Sequence, residues 1–186
     1  MLGKGAFGRV NLAMHKITEH LVAVKSMNKQ FLTQEGAAST GNNVLLEGKN
    51  EELLNEEKKK LLQELLILQK VATRHRNIVR LFDSFETARH LVFVMELCAG
   101  GDILTYVRKR GCLSEDVARE LFSQAAAAVH YCHRKGIVHR DIKLDNMLLD
   151  VGNSGSKNGK GNVTLKLCDF GVSKLLTDPE NDIMTE

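Results

Sequence analysis

The chain has 186 residues, 43% of them hydrophobic and 26% charged, with a formal net charge of +3. That apolar content supports a real core, in one domain or two small lobes, and excludes wholesale disorder. The charge is too small to argue for a nucleic-acid partner. No apolar run approaches the roughly 18 residues that a membrane span needs, and no signal peptide is expected. Cys98, Cys112, Cys132 and Cys168 show no C-x-x-C spacing, so neither a zinc site nor a redox pair is indicated. They fit a reducing compartment, and an intracellular, cytoplasmic location is expected.

Residues 2–27 are predicted to form strands. Gly3, Gly5 and Gly8 make a G-x-G-x-x-G pattern that opens into Val10-Asn11-Leu12-Ala13-Met14, which alternates like a strand. Dinucleotide-binding folds carry the same glycines, but there they open a helix. A strand–loop–strand context favours a flap whose backbone N–H groups approach phosphates without a Cβ clash. An ordinary glycine hairpin has the same local pattern, and Lys25 decides against it. Lys25 ends the apolar strand Val22-Ala23-Val24, an awkward place for a residue that is usually solvated.

Residues 30–57 are small and polar around Thr33–Asn43 and read as an insertion. A helix is predicted over 51–72, with Leu54, Leu61, Leu65 and Leu68 at helical spacing. Glu64 lies among its apolar residues, whereas Glu51, Glu52, Glu56 and Glu57 read as solvated. The basic clusters Lys58-Lys59-Lys60 and Arg74-His75-Arg76 also read as solvated faces. Two further strands are predicted at 78–86 and 91–96, then a short helix over 102–109. A longer helix is expected from its N-cap Ser114 to Gly136, a natural C′ residue. Val117, Leu121, Phe122, Val129 and Cys132 would form its apolar face. Met147–Asp150 and Val163–Cys168 read as paired strands, separated by the linker-like composition of 152–162.

The stretch His139-Arg140-Asp141-Ile142-Lys143-Leu144-Asp145-Asn146 packs an acid, a cation and an amide between helix-type and strand-type sequence, the way a loop on rigid supports presents reactive groups. Downstream lies Asp169-Phe170-Gly171. In the order glycine loop, Val-Ala-Val-Lys, His-Arg-Asp and Asp-Phe-Gly, these stretches resemble a eukaryotic-type protein kinase over nearly the whole chain. The resemblance implies an α+β fold: an N-lobe at 1–97 with a small antiparallel sheet and one helix, and a partial, mostly helical C-lobe at 98–186.

It also implies roles. Leu2, Gly3, Lys4, Gly5, Ala6, Phe7 and Gly8 would cover ATP, with Val10, Ala23 and Leu148 around the adenine. Lys25 would hold the phosphates and pair with Glu64, Glu57 being a poorer choice. Met95 would be the gatekeeper, and backbone groups of Glu96 and Cys98 would bond the adenine. Cys98 reads equally well as a plain buried side chain. Asp141 would accept the substrate proton, Lys143 would neutralise the transferring group, and Asn146 and Asp169 would ligate Mg²⁺. His139 and Phe170 would stack with Leu68 and Leu81 in a spine.

Lys143 resembles serine/threonine kinases, and Tyr131–His139 is similar to the calmodulin-dependent and AMP-activated group. A protein with a Ser/Thr acceptor is the implied partner. Arg140 implies control by a phosphate on the activation segment, with Thr185 as the acceptor for an upstream kinase. Kinases carry several prolines beyond that segment, yet Pro179 is the chain's single proline. An incomplete C-lobe is therefore expected, which leaves three functions in view. They are a serine/threonine kinase, a catalytically inactive nucleotide-binding fragment or adaptor, and an unrelated dinucleotide-binding enzyme.

Overall fold

A computed structural model describes residues 1–5, 8–28, 62–72, 75–151 and 163–176. The expected insertions, Thr185, Ala6, Phe7, Glu57 and the first part of the predicted helix lie outside the described residues. Three strands open the chain, β1 (Gly3–Gly5), β2 (Gly8–Met14) and β3 (Leu21–Asn28). They join β4 (Leu81–Glu86) and β5 (His90–Glu96) in one antiparallel sheet of order β1-β2-β3-β5-β4. Cross-strand register sets Lys25 opposite Val10 and Phe93, and Ala23 opposite Leu12 and Met95. Cross-strand partners share a face and residues two apart along a strand share it too. The lysine therefore arrives on the same surface as the apolar residues around it.

Helix α1 (62–71) buries Glu64, Ile67, Leu68 and Val71, a stripe of helical period, while Leu62 and Leu66 face outward. Its buried residues join Met27 and Phe93 of the sheet in a core that continues to Ile78, Leu167 and Phe170. The predicted strand at 78–86 begins only at Leu81, because Asn77 and Val79 bond to Leu167 and not to β5. Val79 N–H donates to the Leu167 carbonyl at 2.9 Å, and Leu167 N–H donates to that of Asn77 at 2.8 Å. His75 is also not a solvated loop residue, since it stacks on Tyr131 with ring centroids 4.8 Å apart.

Helix α2 (Ile103–Arg110) is capped by Asp102, which accepts from Thr105 N–H at 2.7 Å. Helix α3 (Glu115–Arg134) starts after Ser114 as expected, and Gly136 stands in the left-handed region (φ 69°) just beyond its end. The buried stripe of α3 is Leu121, Ala125, Ala128 and Cys132. This corrects the expected apolar face: Val117 is exposed and Phe122 is 76% exposed. Phe122 follows Leu121 by about 100° of helical turn and so misses the stripe. The alanines let two small two-stranded sheets approach the helix. One pairs β6 (Ile137–Val138) with β9 (Lys174–Leu175), the other β7 (Met147–Asp150) with β8 (Thr164–Leu167). Together they deliver the loop 139–146 and Asp169 beneath the sheet.

Candidate active site

Between the sheet and the β7–β8 hairpin lies a cleft of about 490 Å³, within the range usual for small-molecule sites. Leu2, Gly3, Gly8, Val10 and Ala23 line its roof, Lys25 and Glu64 its back, Met95, Glu96, Leu97 and Cys98 one wall, and Asn146, Leu148 and Asp169 its floor. Gly8 is required sterically, since a Cβ there would collide with the Ser26 carbonyl oxygen. Gly3 meets no such neighbour.

Lys25 bridges the cleft. Its Nζ donates to Glu64 Oε1 at 2.6 Å and to Asp169 Oδ1 at 3.3 Å. Burial alone would lower the Lys25 pKa, but the carboxylates of Glu64 and Asp169 outweigh it, and the net shift is upward. The ammonium is therefore held charged, although its side chain is only 12% exposed. Glu64 is itself 2% exposed, which makes it a buried partner rather than a surface acid.

The loop carries the second cluster. Asn146 Nδ2 donates to the Asp141 carbonyl at 2.9 Å and to Asp141 Oδ2 at 2.8 Å. Lys143 Nζ lies 2.7 Å from the same oxygen. The Lys143 hydrogen bond is the main reason that the Asp141 carboxyl sits below its ordinary pKa, and Asn146 adds to it. The shift in Lys143 is reciprocal and upward. With its amide nitrogen turned to Asp141, Asn146 has its oxygen left to offer a cation.

Two residues here hold positive φ without being glycine, Arg140 (63°) and Asp169 (61°). Such backbone costs on the order of 1 kcal/mol or more and persists only where its surroundings fix it. His139 does the fixing. Its Nε2 bonds the Cys168 carbonyl at 3.0 Å, and its Nδ1 accepts from Asp141 N–H at 3.3 Å. An acceptor at Nδ1 requires neutral imidazole with its proton on Nε2, and burial lowers the His139 pKa in the same sense. Ser173 Oγ donates to the His139 carbonyl at 3.1 Å, and Arg140 Nε donates to that of Val172 at 2.7 Å. His139 also meets Phe170 edge-on, with ring centroids 4.8 Å apart, while Phe170 shares the core with Leu68 and Leu81.

Most of the residues expected from the sequence thus meet in one place, with Asp141 and Lys143 beside the cleft through Asn146. Leu68, Val79, Leu97, Gly101, Asp102, Asp145, Cys168 and Phe170 line it as well and were not expected among its ligand-binding residues. Cys98 is both things at once. It lines the cleft, and burial pushes its thiol up to about 12. Among the described residues no group of three or more His, Cys, Asp or Glu could hold a metal alone. Two hard-oxygen donors, Asn146 and Asp169, fit Mg²⁺ carried largely by phosphate oxygens.

Residues 1–186 match the family model described as a protein kinase domain. The chain belongs to the protein kinase family. This kinase is 38% identical over 177 residues to serine/threonine protein kinase OSK3 of Oryza sativa subsp. indica, covering 95% of this chain and 28% of that protein. It is 35% identical over 182 residues to CBL-interacting protein kinase 15 of Oryza sativa subsp. japonica, covering 98% and 35%. It is 35% identical over 179 residues to the carbon catabolite-derepressing protein kinase of Secale cereale, covering 96% and 30%. The kinase therefore spans only 28% to 35% of the length of these relatives. The α+β architecture, a five-stranded antiparallel sheet with helix α1 followed by helices α2 and α3 and two small sheets, agrees with the family. Among the described residues no helix is long and apolar enough to cross a membrane.

Proposed function

We propose that this kinase transfers the γ-phosphoryl group of MgATP to a serine or threonine hydroxyl of a protein. The observation that carries the proposal is Lys25, held charged between Glu64 and Asp169 at the back of a cleft roofed by glycines. In this reading the lobes divide near residue 97. The adenine lies between Val10 and Ala23 above and Leu148 below. Glu96 N–H is already spent on the Arg80 carbonyl, so the hinge contacts to adenine fall to the Glu96 carbonyl and the Cys98 N–H. Lys25 holds the phosphates.

Asn146 and Asp169 hold Mg²⁺, which when bound neutralises charge on the phosphate oxygens. Asp141, ionised and oriented by Asn146, receives the proton of the attacking hydroxyl. Its low pKa makes it a weak base. A weak base suffices where the transition state is loose and positioning and charge neutralisation carry most of the catalysis. Lys143 balances charge beside it.

The test is transfer of labelled phosphate from MgATP to a general serine/threonine protein substrate, with Asp141→Asn as control. Transfer that falls by about 10² or more in the variant is expected. Unchanged transfer in the variant would remove Asp141 from its role. ATP binding without transfer by the parent chain would instead support a nucleotide-binding module.

A further inference from the structure

The Glu96 side chain engages a residue that does not line the cleft. Both carboxylate oxygens lie 2.9 Å from Lys166 Nζ, and Oε1 also accepts from Arg80 N–H at 2.6 Å. Lys166 is buried, at 9% exposure, and sits in the middle of β8. A buried ion pair is a poor way to gain stability, since well-packed apolar residues of similar volume often do as well or better. This one joins three pieces that must keep their spacing for a base to fit. Glu96 belongs to the wall that faces the adenine. Arg80 leads into β4. Lys166 is the cross-strand partner of Leu148, which forms the floor beneath the base. The same strand runs on to Asp169.

Resting on the kinase reading above, we propose that Lys166 is a positioning residue for base recognition. Its ammonium grips the Glu96 carboxylate from behind, so that the Glu96 carbonyl and Cys98 N–H face the cleft at a fixed height above Leu148. It touches neither base nor phosphate. Its loss should therefore weaken binding of the base selectively, while the phosphate-holding end around Lys25 and Asp169 keeps its geometry.

Calorimetric titration of the 186-residue chain with adenosine, and separately with magnesium tripolyphosphate, tests this. In Lys166→Met, adenosine affinity should fall roughly tenfold, the size of one net hydrogen bond to a charged group. Tripolyphosphate affinity should hold, and Lys166→Arg should restore adenosine binding. Equal losses for both ligands, or no loss for adenosine, would overturn the proposal. If Lys166→Met does not fold, Glu96→Gln removes the ion pair while its amide oxygen can still accept from Arg80, and the same two outcomes decide. A parent chain that binds tripolyphosphate but not adenosine would overturn this inference and spare the phosphate site. A parent that binds neither would overturn the kinase reading along with it.

Discussion

Glu64→Gln isolates the charge that holds Lys25, because the amide keeps the side chain's shape and can still accept at Oε1. In the parent the contact is 2.6 Å and Glu64 is 2% exposed, so solvent does little to weaken it. Hydrogen bonds to charged groups contribute about 1.5–3 kcal/mol. In the variant the bond survives with its charged donor and only the charge of the acceptor is lost, so the substitution should cost part of that range, about 1–1.5 kcal/mol of stability. Glu64→Ala should cost more, about 3 kcal/mol, at the low end for breaking a buried pair because Asp169 still lies 3.3 Å from the ammonium.

The consequence for ligand follows from the same geometry. Without Glu64, Lys25 keeps only the contact to Asp169, the residue proposed to take the metal. MgATP affinity should then fall roughly tenfold, the equivalent of about 1.4 kcal/mol. Urea denaturation gives the stability change, and titration with MgATP gives the affinity. Folded variants with parental stability and parental affinity would refute the role assigned to this pair.

Stability should fall as pH drops through 6.5. The His139 pKa is lowered from 6.5 in the fold by burial, so the unfolded chain takes up its proton first and is favoured as pH falls between the ordinary value and the folded one. Thermal melts at a series of pH values should show this slope, and His139→Gln should reduce it. His75, also lowered from 6.5 by burial, keeps the remainder. Gly8→Ala should abolish tight MgATP binding, because its Cβ would collide with the Ser26 carbonyl and displace the roof. Binding by that variant at the parental level, measured by the same titration, would show that the roof tolerates the methyl.

The catalytic signals were legible because each is a short run of residues whose spacing a single loop or strand preserves. His139, Asp141, Lys143 and Asn146 lie on one loop, and Asp169 follows directly on a strand. Lys25 and Glu64 are 39 positions apart, so only the family's helix pattern links them in the sequence; in the structure Glu64 is buried and 2.6 Å from the lysine. What stayed hidden was set by tertiary contacts. Residues 78–80 have strand-like composition, yet the loop at 77–79 bonds to Leu167, and only the fold brings that partner near. By its type Phe122 belongs to an apolar face, but one residue's rotation on the helix takes it off the stripe of Leu121 and Ala125. Lys166 gave no local sign that its partner would be Glu96, 70 positions away.

The most direct test of the triphosphate grip is thermal stabilisation by MgATP in the parent and in Lys25→Met. A ligand that binds only the folded state raises the melting temperature by mass action. The parent should melt at a higher temperature with MgATP present, and the Lys25→Met chain should gain little from the same concentration. A parent that gains nothing, or a Lys25→Met chain that gains as much as the parent, would contradict the claim that Lys25 and Asp169 converge on one nucleotide.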